Sequence, residues 1–574
     1  MPVKPIPYGI DDYKSIIENG YVYVDKTMYI RTLERAGVYH VFFRPRRFGK
    51  TLFASMLGYY YDIKEKDNFN ALFSHLDIGK NPTEKKNAYY ILKFNFSGIR
   101  TDSYEIMLED FTAQTRDALL AFCAAYQLDI HLEKAGNPGT HLSHLFTQFQ
   151  ALCDGKIYGI IDEYDHFANE LLNFNLPLFT DTVSGDGFIR KWYEVLKKAS
   201  GTIVERIFIT GVSPITLDSL TSGFNISQNL SMMKPFNEMM GFTRVEVEAL
   251  IQETIPSDML PLDLMDTLTN YYNGYLFNKN VEIRVFNSDM VLYYLNHFQQ
   301  LCEPPDTLLD QNATSDYGKL EKLITFQTPE QNIEIVKKVL FDGYTSAELT
   351  ERYTLGQEFQ ADHFKSLLFY LGLLTIKDTD LGVIRLQIPN TVIKTLYFRF
   401  LMGVVEKETK YIPDTDLITQ AMRQLAYENS CEKFMALIEG LLHSFSNRDY
   451  IRFDEKYIKV AMAAYAGITK LYWIKSEYEV EDGYIDLVFL PRIDLPDLDI
   501  LLFEIKYIKA SKIPDLSASR HGGKAGKAIE DALSDAVEQL KRYSSAAEFQ
   551  GKNITCWAVV FAGEKCVRRV AVEV

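Results

Sequence analysis

The chain has 574 residues, of which 47% are hydrophobic and 24% charged, and its formal net charge is −16. This length exceeds the roughly 250–300 residues at which a single core usually divides, so several domains are expected. The acidic balance argues against nonspecific coating of nucleic acid by the whole surface, because phosphate contacts require clustered Lys and Arg.

Membrane and secretory signals are missing from the sequence. Residues 1–13 lack the apolar core of a signal peptide, and no apolar run approaches the ~18 residues that a membrane span needs. The six cysteines are scattered without CxxC spacing. These features predict a cytoplasmic protein without a membrane partner.

A buried strand at 39–43 is predicted to run into a phosphate-binding loop, Arg-Pro-Arg-Arg-Phe-Gly-Lys-Thr, and then into an apolar helix. Arg44 stands where the G-X-X-X-X-G-K-[ST] pattern has its first glycine. Backbone N–H groups at a helix N-terminus favour anions, Lys50 can reach the outer phosphates, and Thr51 can ligate Mg²⁺. The predicted nucleotide-binding residues are Arg46, Arg47, Phe48, Gly49, Lys50 and Thr51.

Residues 157–163 read Ile-Tyr-Gly-Ile-Ile-Asp-Glu, an apolar strand that ends in two acids. This is a Walker B pattern, in which Asp162 would hold Mg²⁺ and Glu163 would orient the water that attacks the γ-phosphate. Acids at the end of a strand also occur in surface turns. Together with the phosphate-binding loop, however, they predict ATP binding and hydrolysis.

A third strand, at 206–210, brings hydroxyl residues to a similar position. Thr210 and Ser213 are candidates for sensing the γ-phosphate, and turn capping by hydroxyl side chains is an equally good interpretation. Arg190 is a candidate arginine finger, although a helical surface arginine is the favoured interpretation.

Four stretches of the first 243 residues carry a resemblance to a known family. They are Tyr23-Val24-Asp25-Lys26-Thr27, the segment from Phe43 to Thr51, the segment from Ile160 to Asp165, and Met240-Gly241-Phe242-Thr243. This part of the chain resembles the AAA-ATPase-like family of bacterial proteins. The resemblance implies that Arg44 is an ordinary residue at its position.

The middle of the chain is predicted to be mainly helical. A Thr243 N-cap with Glu246 three residues on begins a helix of a lid that ends near residue 300. Over 330–400, helices precede a hairpin at 376–386, and this order suggests a winged-helix-like module. We expect the module to pack against the nucleotide domain rather than to bind DNA.

Two predicted strands near the C-terminus carry acids. Asp486 lies on the strand at 484–490, and Glu504-Ile505-Lys506 lies on the next apolar run. Because the side-chain period of a strand is two, Glu504 and Lys506 share a face and Ile505 offers its carbonyl beside them. Asp486, Glu504 and that carbonyl could hold Mg²⁺ or Mn²⁺, while Lys506 orients or deprotonates the attacking water. Ordinary alternation on a half-buried strand produces the same triplet.

Two helices flank these strands. Glu455 begins the earlier helix, and Gln539 and Tyr543 lie four residues apart on an amphipathic helix at 529–543. The order of helix, two acid-bearing strands and helix over about 440–574 resembles the PD-(D/E)XK nuclease superfamily. The resemblance implies that Gln539 and Tyr543 support the site or touch DNA, and, by a looser match, that Glu455 also belongs to the site.

The chain departs from the superfamily's name at one position, because Ile485 stands where proline would precede Asp486. Downstream, the segment at 509–527 is basic and rich in Ser, Ala and Gly. It could close on a substrate backbone or be a solvated disordered insertion, and the sequence favours neither.

The predicted fold is α/β: an AAA/RecA-like parallel sheet, a helical lid, a winged-helix-like region and a restriction-endonuclease-like domain. The predicted domains are 1–240, 241–300, 301–425 and 426–574. The sequence predicts an ATPase coupled to a metal-dependent nuclease that acts on nucleic acid, DNA rather than RNA. The alternative is a nucleotide-dependent switch whose nuclease-like domain binds nucleic acid or protein without cutting. Homo-oligomerisation is left open.

Overall fold

The structure is a computed structural model. It describes residues 3–132, 135–166, 187–214, 226–261, 263–310, 319–325, 328–351, 360–409, 413–444, 455–469, 471–492, 495, 497–509 and 524–573. The chain divides into two compact units, Met1–Asn390 and Thr391–Val574. Within these described ranges, no helix has the length and apolar character needed to cross a membrane.

A parallel five-stranded sheet forms the core of the first unit, in the order β2-β3-β4-β1-β5. Its strands are β1 (Tyr39–Phe43), β2 (Tyr89–Asn95), β3 (Lys156–Asp162), β4 (Val204–Gly211) and β5 (Gln228–Asn229). Strands of a parallel sheet are usually covered on both faces, which explains the nearly continuous apolar runs in β1, β3 and β4. Because the strands are parallel, the carboxyl ends of these three lie at one edge.

Helices accompany this sheet through the first 199 residues. Those that the structure describes are α1 (Tyr13–Glu18), α2 (Tyr29–Ala36), α3 (Lys50–Tyr61), α4 (Phe69–Phe73), α5 (Asp77–Lys80), α6 (Tyr104–Tyr126), α7 (Pro138–Leu152) and α8 (Phe188–Ala199). Local sequence fixes several of their starts. The Ser103 hydroxyl accepts from the N–H of Ile106 at the start of α6, and Asn137 caps α7 with Pro138 in its first turn.

Three helices form the segment predicted as a lid: α9 (Arg244–Thr254), α10 (Leu264–Tyr272) and α11 (Ser288–Leu301). The predicted start of α9 is confirmed, because Thr243 and Glu246 form a reciprocal capping box.

The region predicted as winged-helix-like contains α12 (Lys319–Ile324), α13 (Pro329–Asp342), β6 (Thr345–Ala347), α14 (Ala361–Tyr370), β7 (Thr375–Asp380) and β8 (Val383–Gln387). The strands form an antiparallel sheet in the order β6-β8-β7. Strand β6 was not predicted, because three residues are too few to show a period. The backbone N–H of Leu276 donates to Thr375 Oγ1 at 2.7 Å, and Arg284 donates to the Ile376 carbonyl at 3.0 Å. These contacts join the region to the segment predicted as a lid, and the Tyr370 ring lies 6.2 Å from that of Phe43 in β1.

The second unit contains five described helices and a mixed sheet. The helices are α15 (Thr391–Thr409), α16 (Thr415–Tyr427), α17 (Glu432–His443), α18 (Glu455–Ala466) and α19 (Lys524–Tyr543). The strands are β9 (Tyr472–Val480), β10 (Gly483–Pro491), β11 (Ile500–Ile508), β12 (Ile554–Ala562) and β13 (Lys565–Val572), in the order β13-β12-β11-β10-β9.

Strands β11 and β12 are parallel, whereas the other neighbouring pairs are antiparallel. A parallel pair needs a crossover, and α19 provides it by burying Ile529, Ala536 and Leu540. The predicted acid-bearing strand lies in β10 and the predicted amphipathic helix lies in α19. Most of the predicted basic segment, residues 510–523, lies outside the described residues.

Candidate nucleotide and nuclease sites

Arg44, in the place of the first glycine of the loop, is buried. Its guanidinium donates to the carbonyls of Phe43, Ser231 and Phe236 at 2.9, 2.7 and 2.8 Å. The guanidinium carbon, Cζ, lies 3.9 Å from the ring centroid of Phe277. Burial lowers the pKa of Arg44 to about 9. Arg44 therefore braces the loop, because its hydrogen bonds join the loop to the backbone of Ser231 and Phe236.

The rest of the loop bends through left-handed backbone. Arg47 and Gly49 have φ values of 71° and 85°. Lys50 begins α3, and its ammonium donates back to the Pro45 carbonyl at 3.1 Å. Burial lowers the pKa of Lys50, although the charges of Glu163 and Asp162 oppose that shift. A phosphate beside Lys50 would replace the carbonyl as its partner and favour the charged form.

Thr51 and Asp162 meet where β1 and β3 end. The Thr51 hydroxyl donates to Asp162 Oδ2 at 2.7 Å, and Asp162 is buried. Burial raises the pKa of Asp162, while the Thr51 hydrogen bond and the Lys50 charge act in the opposite direction. A hydroxyl and a carboxylate in contact fit the ligand set of a nucleotide-bound Mg²⁺.

Glu163 lies beside this pair with a φ of 53°. Burial disfavours its charged form, but His166, Lys50 and Arg46 outweigh burial and lower the pKa of Glu163 to about 2. His166 Nδ1 lies 3.3 Å from Glu163 Oε2. Glu163 is therefore an anion suited to orienting water. Sequence reasoning missed His166, although its spacing of three residues from Glu163 was a usable signal.

Asp165 ties the ends of β3 and β4 together, and sequence reasoning missed this role too. Its carboxylate accepts from the backbone N–H groups of Val212 and Ser213 at 3.0 and 2.7 Å. The Ser213 hydroxyl also lies 3.3 Å from it. Thr210 is fully buried, and its Oγ1 has no hydrogen-bond partner among the described residues. Arg190 Nε lies 3.4 Å from Glu194 Oε1 on α8, where both side chains are partly buried.

A cavity of about 530 Å³ opens above the loop, within the range of small-ligand pockets. The predicted residues Arg46 to Thr51 and Glu163 line it, together with the unpredicted His166 and Lys26. Asp162 and Thr210 are not among the described lining residues. The remaining wall is largely apolar and includes Pro7, Ile10, Val22, Val24, Met240, Phe242 and Leu292.

In the second unit, Asp486 and Glu504 lie on the adjacent strands β10 and β11, both buried. Asp486 Oδ2 accepts from the backbone N–H of Ile505 at 2.7 Å, which fixes one strand's acid to the other strand. Lys506 Nζ lies 3.2 Å from Glu504 Oε1, so the two side chains share a face as the period of two predicts.

Lys506 is held by helix α19 as well. Its ammonium donates to Gln539 Oε1 at 2.8 Å and lies 2.9 Å from Asp535 Oδ2. Burial would lower the pKa of Lys506, but Asp535 and Glu504 raise it overall. The neighbouring carboxylates thus favour the charged form of Lys506. Asp535 was not predicted, although it lies four residues before Gln539 on the same helix face.

Glu504 has a carboxylate oxygen that can still accept a ligand. Its Oε2 is buried without a hydrogen-bond partner among the described residues. Burial and the charge of Asp486 raise the pKa of Glu504 to about 8. An orphaned oxygen beside a second carboxylate fits a divalent cation with oxygen ligands.

No three His, Cys, Asp or Glu side chains in the described part of the chain are arranged as a metal site. The predicted ligands therefore include only two of these side chains, Asp486 and Glu504, with the Ile505 carbonyl as the third ligand. This donor set suits Mg²⁺, which commonly uses one or two carboxylates and retains several waters.

Glu455 and Tyr543 have different positions. Glu455 begins α18 and reaches the cluster through Lys459, whose Nζ lies 3.2 Å from Glu455 Oε1. Tyr543 is buried in the core of the unit, and its hydroxyl accepts from Arg542 at 2.8 Å. The structure therefore brings Glu455 and Gln539 to the acids but places Tyr543 in the core beneath Gly483.

Sequence reasoning also missed Lys459 and Glu477. Lys459 Nζ lies 2.5 Å from Asp486 Oδ1 and 2.8 Å from Glu477 Oε1. The spacing of four residues between Glu455 and Lys459 was one available signal. Counting back from the turn at Gly483 was another, since it places Glu477 opposite Asp486.

Comparisons with known proteins agree with this geometry. Residues 7–221 match a family model described as predicted AAA-ATPase, and residues 453–570 match a model of the PD-(D/E)XK nuclease superfamily. The chain thus combines an AAA-ATPase-like domain with a PD-(D/E)XK nuclease superfamily domain, and both predicted resemblances are confirmed.

The chain is also similar to an uncharacterized protein in the vnfD 5′ region of Azotobacter chroococcum mcd 1. The two are 28% identical over 517 residues, which cover 89% of this chain and 90% of the relative. The similarity is therefore not confined to either domain.

Proposed function

We propose that this protein binds and hydrolyses ATP and uses the nucleotide cycle to control a Mg²⁺-dependent nuclease that cleaves DNA. The observation that carries the nuclease part is the buried Oε2 of Glu504, which has no hydrogen-bond partner among the described residues, beside Asp486 and Lys506. The described contacts of the phosphate-binding loop support the ATPase part.

At the nuclease site, Asp486, Glu504 and the Ile505 carbonyl would hold the metal. When bound, the metal would polarise the phosphate and lower the pKa of a coordinated water. Lys506, fixed by Gln539 and Asp535, would position that water and offset charge that develops on the phosphate.

At the ATP site, Lys50 would exchange the Pro45 carbonyl for the outer phosphates. Thr51 and Asp162 would hold the nucleotide's Mg²⁺, and the hydrogen bond between them supports this proposal. Glu163, with its pKa of about 2, would accept a hydrogen bond from the attacking water. The apolar wall of the cavity would receive the base.

The test is cleavage of labelled single- and double-stranded DNA and of RNA, with Mg²⁺ or Mn²⁺, with and without ATP. Glu504→Ala and Lys506→Ala should abolish cleavage while the protein stays folded. Glu530→Ala is the matched control, because Glu530 is an exposed glutamate on α19. Lys50→Ala should remove the effect of ATP and leave metal binding at the nuclease site intact.

Cleavage that persists in the Lys506→Ala variant would contradict the nuclease proposal. ATP hydrolysis without cleavage of any substrate would instead favour a nucleotide-dependent switch whose second domain binds without cutting.

A further inference from the structure

Lys459 places a positive charge inside the nuclease site. Its side chain is 8% exposed, and its ammonium lies 2.5 Å from Asp486 Oδ1 and 2.8 Å from Glu477 Oε1. Glu455 is a third acid, at 3.2 Å. Three carboxylates within 3.2 Å of its ammonium hold Lys459 in place as a cation.

Glu477 is held in an unusual backbone conformation beside this cation. The pairs Tyr478↔Ile485 and Ser476↔Leu487 place Glu477 directly opposite Asp486 across the β9–β10 ladder. Its φ is 51°, a left-handed value that is uncommon and costly for a residue with a side chain. Two carboxylates opposite each other would also repel. The contact of Lys459 with both carboxylates offsets this repulsion and the backbone strain at Glu477.

We propose, on the basis of the proposed nuclease function, that Lys459 is the built-in second cation of the site. Its ammonium bridges Asp486 and Glu477 as a second metal ion would, so the site takes up one divalent cation, at Asp486 and Glu504. Lys459 acts through Asp486 and is a positioning residue.

Formal charges support this assignment. The acids of the cluster are Glu455, Glu477, Asp486, Glu504 and Asp535. Their five negative charges and the two positive charges of Lys459 and Lys506 leave a formal −3, which one divalent cation reduces to −1. Without Lys459 the formal charge would be −4, which two divalent cations would neutralise.

The test is Mn²⁺ binding measured by calorimetry, with no nucleotide or nucleic acid present. The binding that Glu504→Ala removes defines the nuclease site. We expect one Glu504-dependent ion in the native protein and in Lys459→Arg, which keeps the charge. In Lys459→Met, stoichiometry should rise toward two, or the single ion should bind at least about tenfold more tightly. Lys541→Met, on the exposed face of α19, is the matched control.

Native stoichiometry and affinity in a folded Lys459→Met variant would overturn the inference, since a purely structural lysine would change stability alone. If that variant does not fold, Glu477→Gln provides the second test. This substitution removes the Glu477 charge and leaves Asp486 as the main partner of Lys459. Because the Lys459 charge then acts mainly on a metal ligand, Mn²⁺ binding should weaken several-fold. Unchanged binding would overturn the inference. Failure of the proposed function looks different, because the native protein would then show no Glu504-dependent binding at all.

Discussion

Three buried charged side chains, Arg44, Lys459 and Glu504, differ in what surrounds them. Arg44 has backbone carbonyls and an aromatic ring, and Lys459 has carboxylates. Glu504 retains one oxygen without a partner among the described residues. A buried charge is costly unless it is paired, and both cations are paired within the fold, although Arg44 Nε has no hydrogen-bond partner among the described residues. The third is the group from which we expect ligand binding.

Restoring the consensus glycine at position 44 should weaken the protein. Arg44→Gly would leave the buried carbonyls of Ser231 and Phe236 without their donor, and we expect a loss of about 3 kcal/mol in the free energy of unfolding. Urea denaturation measures it. The surface variant Arg244→Ala should lose less than about 1 kcal/mol. Native stability with improved nucleotide binding in Arg44→Gly would show that the bracing role is wrong.

Glu504 should make the metal-free protein less stable as the pH rises. Its pKa is about 8 in the folded protein, against an ordinary value of 4.5, so the folded state holds a proton that the unfolded chain releases earlier. The stability from this group is present below pH 4.5 and is lost as the pH rises through 8. Urea midpoints measured with a chelator should therefore decline less with pH in Glu504→Gln. An equal decline in that variant and the native protein would contradict this account.

At the scale of elements, the turn between β9 and β10 depends on α19. Gly483 has a φ of 147°, and a Cβ there would lie 2.7 Å from the Tyr543 hydroxyl. The last turn of α19 is thus packed against the turn that sets the register of Asp486 and Glu477. This contact gives Tyr543 a structural role through packing.

Substituting Gly483→Ala should destabilise the protein by about 1–3 kcal/mol, from backbone strain and the clash with Tyr543. Tyr543→Phe should recover part of that loss, because it removes the hydroxyl but leaves the strain. A double-mutant cycle in urea measures the coupling, which we expect at about 0.5–1.5 kcal/mol. Strictly additive effects would show that the contact carries no energy.

Elements with a strong local pattern were predictable. The period of two placed Glu504 and Lys506 on one face, and the capping box fixed the start of α9. The contacts that the sequence did not predict are those between side chains and partners far apart in the chain. Two partners of Arg44, Ser231 and Phe236, lie 187 and 192 residues away in sequence, and Lys459 meets Asp486 only after β9 and β10 pair. Periodicity and propensity carry no information about such contacts.

At the scale of the whole molecule, each compact unit has its own sheet and its own cluster of charged groups. The nucleotide residues Lys50, Thr51, Asp162 and Glu163 all lie in the first unit, and the nuclease acids lie in the second. Binding to each site can therefore be measured independently of catalysis at the other.

A non-hydrolysable ATP analogue with Mg²⁺ should raise the unfolding temperature of the first unit. Binding at one hundred times the dissociation constant stabilises a folded state by about 2.7 kcal/mol. Calorimetry should show the shift in the native protein and in Glu504→Gln, but not in Lys50→Ala. A shift that survives in Lys50→Ala would place nucleotide binding elsewhere.

Arg44 also bears on how such loops are detected. A search pattern that demands glycine at the first position of the loop passes over any chain that uses an arginine brace instead. Besides the neighbouring Phe42, the guanidinium contacts an aromatic ring far along the chain, that of Phe277. In a set of related sequences, the arginine and the aromatic residue should accordingly be gained and lost together. Paired occurrence of the two would be a better signature of this type of loop than the glycine it lacks.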